Sequence, residues 1–360
     1  MKTGKSLVDM ANELTRIHET AKDFIVPVSK MQAVPLESGV GLEFQNGELH
    51  NYGLNNWSTT QGAAFTDIPS AYLNRISQEN PALAANALNH GFSMQKDERR
   101  MIRTVDGKVR GFLSPKYRRL DGYDLLGAVF PTLQENGLTV AASELTERRL
   151  YLKALSPKLL LEVKKGDMVQ YGITISTSDV GAGAFRVEPF VYRLDCLNGM
   201  ISATTLRKYH RGKDVGESDD AQELYSDRTK ELSDAAFWCQ VNDIVKGSLD
   251  PAFFEREVDK LRIAAEMPIK NYDLESVVEL TAKAVNLPLG KSRLQNIVAA
   301  LANGNEGAGL TQYGLINSFT RAAYDDSESF DDSIEMERAA GKILTLAMGQ
   351  WKRIAEAEAA

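Results

Sequence analysis

Apolar residues recur at three- and four-residue steps over positions 6–24, where Leu7, Met10, Leu14, Ile17 and Ala21 fall on one side of a helix. Over 39–54 the period shortens to two, and Gln45-Asn46-Gly47 supplies the Asn-Gly pair favoured in a tight hairpin turn. Helical spacing returns after Asp67, the expected N-cap of a helix with Pro69 near its start and Tyr72, Leu73 and Ile76 on one face. A further helix is expected from Pro81 to near Gly91.

From residue 99 the pattern becomes strand-like. Segments 99–105 and 108–114 flank Asp106-Gly107, a strong hairpin signal. Residues 123–136 predict a helix ending at Gly137, with Pro131 expected to kink or divide it. Strands are expected over 138–144, 147–155, 168–177 and 184–195. This β-β-α-β-β order with further β predicts an α+β fold with a mostly antiparallel sheet. Past an acidic, small-residue linker at 217–223, an all-helical region is expected, with helices near 221–247, 251–265, 273–285, 291–302, 310–323 and 332–357. Three segments result. Residues 1–95 form N-terminal helices and a hairpin packed on the core, 96–213 an α+β core, and 214–360 a helical region.

Charge sharpens that division. The net charge of −7 over 360 residues splits into 6 basic and 9 acidic side chains (−3) in 1–95, 21 and 13 (+8) in 96–213, and 15 and 27 (−12) in 214–360. A basic middle and an acidic end suggest different partners for the two parts. Composition is that of a globular chain: 43% hydrophobic and 25% charged. No apolar run is long enough to span a bilayer, and no membrane partner is expected. The opening MKTGKSLVDM lacks an apolar signal core, and Cys196 and Cys239 make no disulfide or zinc pattern, so a cytoplasmic location is expected.

Little points to catalysis. His18, His50, His90 and His210 stand far apart, without metal-ligand spacing, and no catalytic residue, metal or cofactor is expected. Pro288-Leu289-Gly290-Lys291-Ser292 resembles the end of a phosphate-binding loop, but Val285 replaces the first glycine and Lys291 reads as a helix start. The 304–309 glycine run reads as a connector, and Asp325, Asp326, Asp331 and Asp332 as a solvated loop and helix cap.

The basic middle reads as a surface. A two-residue Asp106-Gly107 loop sets Val105 opposite Lys108, Arg103 opposite Arg110 and Met101 opposite Phe112, with Arg99 and Lys108 on the arginine face. Facing like charges repel unless a polyanion, nearby carboxylates or water relieves them. Lys116, Tyr117, Arg118 and Arg119 follow. Arg149, Tyr151 and Lys153 share a strand face, with Arg148 turned away, and Arg207, Lys208, Tyr209, His210 and Arg211 form another cluster. Cations among tyrosines suit a single nucleic-acid strand, pairing with phosphates and stacking on bases. The same clusters could instead dock the acidic helical half of the chain.

Three stretches carry a resemblance. They are 111–121 (GFLSPKYRRLD) with Asp124-Leu125-Leu126, 166–173 (GDMVQYGI), and 186–201 (RVEPFVYRLDCLNGMI). Over about residues 35–250 the chain resembles a family of phage- and plasmid-like proteins with a domain of unassigned function. That resemblance implies the company of replication or recombination functions. The element order also resembles the core of single-strand annealing recombinases, in architecture alone.

The leading expectation is a single-stranded DNA-binding, strand-annealing protein that acts as a homo-oligomer, its acidic helices available to a basic protein partner. Alternatives are a non-enzymatic interaction or assembly protein whose basic sheet binds another protein, and a metal-dependent nucleic-acid enzyme.

Overall fold

A computed structural model describes residues 2–117, 120–203, 207–209, 227–304 and 308–356. The linker expected at 217–223 lies outside them. The protein is an α+β fold with two sheets, both rich in antiparallel pairs.

The first sheet has the order β1-β5-β6-β4-β3-β2. Its strands are β1 (Lys22–Pro27), β2 (Met31–Leu36), β3 (Gly39–Asn46), β4 (Glu48–Leu54), β5 (Arg99–Val105) and β6 (Lys108–Leu113). The pairing of β4 with β6 is parallel. Helices α2 (Asn56–Phe65), α3 (Ser70–Glu79) and α4 (Pro81–Met94) cover one face, burying Val26, Leu42, Phe44, Leu73, Leu88, Ile102 and Phe112 together. Strands β1 and β2 and helix α2 have no counterpart in the sequence-based expectations. Asp67 does not cap α3. It takes a left-handed φ of 55°, and Pro69 stands at the N-cap position.

The second sheet runs β11-β10-β9-β8-β7, with β12 also pairing with β10. It is built from β7 (Thr139–Leu145), β8 (Leu150–Lys164), β9 (Asp167–Thr177), β10 (Phe185–Arg193), β11 (Asn198–Ile201) and β12 (Arg207–Tyr209). Residues 3–5 close the β7 edge through hydrogen bonds with Ser143, a common protection against unwanted strand pairing. Helices α1 (Leu7–Thr20), α5 (Gly122–Glu135) and α6 (Asp227–Gly247) pack on one face, around Leu14, Leu125, Leu152, Ile173, Ile175 and Val241. Helix α5 runs unbroken through Pro131. Proline sacrifices one helical bond there without dividing the element.

The chain order β5-β6-α5-β7-β8 is present, but the two hairpins belong to different sheets, so it does not describe one β-β-α-β-β sheet. Strand β5 pairs with β1 instead, because Ile102 and Phe112 complete the apolar face under α2–α4. The charge boundary at residue 96 therefore falls inside a sheet.

Every described helix or strand from Asp227 onward is a helix. These are α6, α7 (Pro251–Ala265), α8 (Leu274–Val285), α9 (Lys291–Ala302), α10 (Gln312–Ala322), α11 (Phe330–Ile343) and α12 (Met348–Glu356). The single helix expected over 332–357 is divided at 344–347, which lets Trp351 and Ile354 turn into the helical core. Helix α11 is buried on most sides and lies across the second sheet, opposite α1, α5 and α6. Gly341 permits that approach: a Cβ there would overlap the Ile201 carbonyl.

Candidate functional site

The hairpin cations sit at the junction of the two sheets. Val105 faces Lys108 as the turn requires, but a bulge between Arg103 and Thr104 shifts the remaining register. Arg103 is opposite Gly111 and Met101 opposite Leu113, which replaces the expected Arg103–Arg110 and Met101–Phe112 pairs. Arg110 is the extra residue of the bulge. It and Arg103 converge on Asp179, whose carboxylate lies 3.8 Å from Arg103 Nη1 and pairs with Arg110 Nη2. Carboxylates thus relieve the repulsion between these two cations.

Arg103 is a buried hub. Its Nε donates to Asp23 Oδ1 at 2.8 Å, Nη2 to Asp121 Oδ1 at 2.8 Å and Nη1 to the Asp179 carbonyl at 2.7 Å. Those partners come from β1, the N-cap of α5 and the loop after β9. Burial opposes the charged guanidinium, but Asp121, Asp179 and Asp23 outweigh it and raise its pKa above the ordinary arginine value. Geometry favours arginine here, because one planar fork serves three directions.

The loop at 178–183 is held mainly through its carbonyls. Ser178 O accepts from Tyr117 Oη at 2.9 Å, and Val180 O from Trp57 Nε1 and Gln61 Nε2, both at 2.8 Å. Ala182 O accepts from Arg149 Nε at 3.1 Å. The Gly181 amide returns a bond to Tyr117 Oη at 3.1 Å. Three of the expected nucleic-acid residues, Arg103, Tyr117 and Arg149, therefore tie one glycine-containing loop to both sheets. Val180 of the loop is buried in the core, and these bonds satisfy the loop's backbone.

The second cluster meets α11. Arg149, Tyr151 and Lys153 do share a face, and it looks onto acidic residues of that helix. Arg149 Nη1 is 3.5 Å from Glu335, Tyr151 Oη donates to Asp331 Oδ1 at 2.6 Å, and Lys153 Nζ contacts both Glu337 oxygens at 2.5 and 2.6 Å. Arg148 does not turn away as expected: its guanidinium also reaches Asp331, at 2.8 Å. Arg338 of α11 completes the seam with a 2.6 Å bond to Glu188 on β10. Burial pushes the Lys153 ammonium below the ordinary lysine pKa, with Glu337 opposing the shift. Burial and Asp331 push the Tyr151 phenol well above its usual range. This strand face is covered by the protein's own acidic helix.

Arg99, Lys108 and Lys116 are exposed. Met101–Leu113 is the last pair of the hairpin, with Arg99 two residues before it and Lys116 three residues after it. Arg207 and Lys208 stand on β12. Arg118, Arg119 and Arg211 lie outside the described residues.

Sequence reasoning did not single out the acidic partners Asp23, Asp179 and Glu337, and it read Asp331 as part of a solvated loop and cap, whereas its half-buried carboxylate accepts from Arg148 and Tyr151. Nor did that reasoning find the partly open pocket of about 170 Å³ lined by Asp23, Arg103, Arg110, Asp121, Thr177 and Asp179, with residues of α1 and the start of α5. His18 stacks on Tyr123 at its edge, with centroids 4.4 Å apart. Among the described residues, no group of three or more His, Cys, Asp or Glu is arranged to hold a metal, and no helix is long and apolar enough to cross a membrane. No family model, curated protein or solved structure matches the chain.

Proposed function

We propose that the chain is a cytoplasmic, non-enzymatic single-stranded DNA-binding protein of phage or plasmid recombination, contacting the strand at the Arg99–Lys116 end of the first sheet. The observation that carries this reading is that exposed Arg99 and exposed Lys116 both lie at the open end of the β5–β6 hairpin, just beyond its Met101–Leu113 pair, in a part of the chain with a net charge of +8. Backbone recognition of this kind needs cations at phosphate spacing and no nucleophile. Strand annealing, homo-oligomerisation and a basic partner for the acidic helices belong to the same proposal, because weak contacts gain strength by repetition.

Fluorescence anisotropy with a labelled oligonucleotide tests it. Binding is expected at low salt, falling steeply as salt rises, and weakening about tenfold or more in Arg99→Glu plus Lys116→Glu. Absence of binding at low salt, or equal binding by the double variant, would overturn it. Arg103→Glu plus Arg110→Glu is unsuitable here, because it would break the buried hub.

A further inference from the structure

At the margin of the sheet face that α11 covers, three guanidiniums share two carboxylates. Arg149 Nη1 lies 3.5 Å from Glu335 Oε1, and Arg338 Nη1 lies 2.7 Å from the same oxygen. Arg338 Nη2 reaches Glu188 Oε2 at 2.6 Å, while Arg186 Nη1 stands 3.9 Å from Glu188 Oε1. The other two pairs between α11 and residues 148–153 are balanced one for one, Lys153 with Glu337 and Arg148 with Asp331. The margin therefore keeps one positive charge in excess.

Arg186 is the member that lacks an acceptor. Both oxygens of Glu188 are taken by Arg338, and none of the Arg186 nitrogens makes a hydrogen bond among the described residues. Its register partner on β9 is Ser176, whose hydroxyl already accepts from Arg338 Nη2 at 3.2 Å. Its register partner on β12 is Lys208, and like charges directly opposite in a sheet are unfavourable. Burial and Arg338 hold the Arg186 pKa below the ordinary arginine value, with Arg149 adding to the shift and Glu188 and Glu335 opposing it. The side chains of Arg186 and Arg149 are 23% and 22% exposed, so both are partly desolvated yet open to solvent.

We infer that Arg186 and Arg149, flanked by Lys208 in the strand register, form a binding site for a phosphate group. Its oxygens supply the acceptors that the Arg186 fork lacks, and its negative charge cancels the excess at the margin. Arginine suits this ligand because two parallel N–H donors match two phosphate oxygens. The charge imbalance and the unbonded guanidinium do not depend on DNA binding. A free phosphate ion and a backbone phosphate of a strand present the same oxygens, and the test separates them.

Isothermal titration calorimetry of the whole chain with inorganic phosphate, against sodium chloride of equal ionic strength, is the first arm. Phosphate is expected to bind the parent and to bind Arg186→Gln about tenfold more weakly. The ligand-free variant should melt at the parent's temperature or higher, because no hydrogen bond is lost and a like-charge contact is relieved. Anisotropy of a labelled oligonucleotide is the second arm. Weaker binding by Arg186→Gln, with displacement from the parent by phosphate beyond that of matched chloride, assigns the group to a strand. Phosphate heat without such displacement assigns it to the free ion. Equal phosphate affinity in the variant would overturn the inference, as would no phosphate heat together with unchanged oligonucleotide binding. So would a lower melting temperature for Arg186→Gln, since the guanidinium would then have a partner in the fold. Failure of the oligonucleotide to bind the parent while phosphate binds would instead remove the DNA reading and leave this site standing.

Discussion

Lys153 on β8 and Glu337 on α11 form an ion pair with side chains 1% and 0% exposed, 184 residues apart in the chain. Tyr324 Oη donates to the same carboxylate at 2.7 Å, and the Phe190 ring centre lies 4.9 Å from the ammonium. The pair joins the second sheet to the helical half. It also removes a basic strand face from solvent. Detaching α11 to free that face would uncover Ile334, Met336, Ala340 and Ile343, so the contact is part of the core rather than a removable cover.

Breaking one side of this pair should be costly. Lys153→Met leaves Glu337 charged and buried, and is expected to lose about 3–5 kcal/mol in urea unfolding. Adding Glu337→Gln should recover much of that loss, since the stranded charge is gone. A single variant within about 0.5 kcal/mol of the parent would show that the pair does not hold the halves together.

Arg103→Lys should destabilise by roughly 3 kcal/mol, because one ammonium cannot serve Asp23, Asp121 and the Asp179 carbonyl at once. Faster proteolysis in the 178–183 loop should accompany the loss. Unchanged stability would mean that the three acidic elements hold their places without the guanidinium.

The approach of α11 to β11 can be probed at Gly341, where any Cβ meets backbone that cannot rotate away. Gly341→Ala is expected to cost about 1–3 kcal/mol despite alanine's better helix propensity. A thermal melt equal to the parent's would argue against this packing.

Tyrosine titration offers a pH test. Burial raises the phenols of Tyr151, Tyr171, Tyr313 and Tyr324 above the ordinary value of 10.0, and nearby carboxylates add to the shift. Between pH 10 and those raised values the folded state keeps protons that the unfolded chain has released. Their contribution is therefore complete below pH 10 and is lost as pH rises through the folded values. Near-ultraviolet absorbance should show these four ionising together with alkaline unfolding, after the exposed tyrosines. Early, independent ionisation of all tyrosines would contradict the burial.

Local pattern in the sequence was enough to determine most elements and the α+β class. Asn46-Gly47 and Asp106-Gly107 mark their hairpins, because few residues tolerate the left-handed turn conformations seen at Asp106, Gly47 and Gly107. Two-residue periodicity likewise put Arg149, Tyr151 and Lys153 on one face. Which sheet the 99–113 hairpin joins was a different matter, since β1 lies some eighty positions earlier and its pairing depends on a shared apolar face. The arginine bulge was equally hidden, for it answers to Asp179 in another strand's loop. Charge counts showed that the middle is basic and the end acidic, but long-range Coulomb pairing has no sequence period. Only the tertiary structure decided that Asp331, Glu335 and Glu337 meet the cations of β8, that three aspartates surround Arg103, and that Thr177 faces a cavity they share.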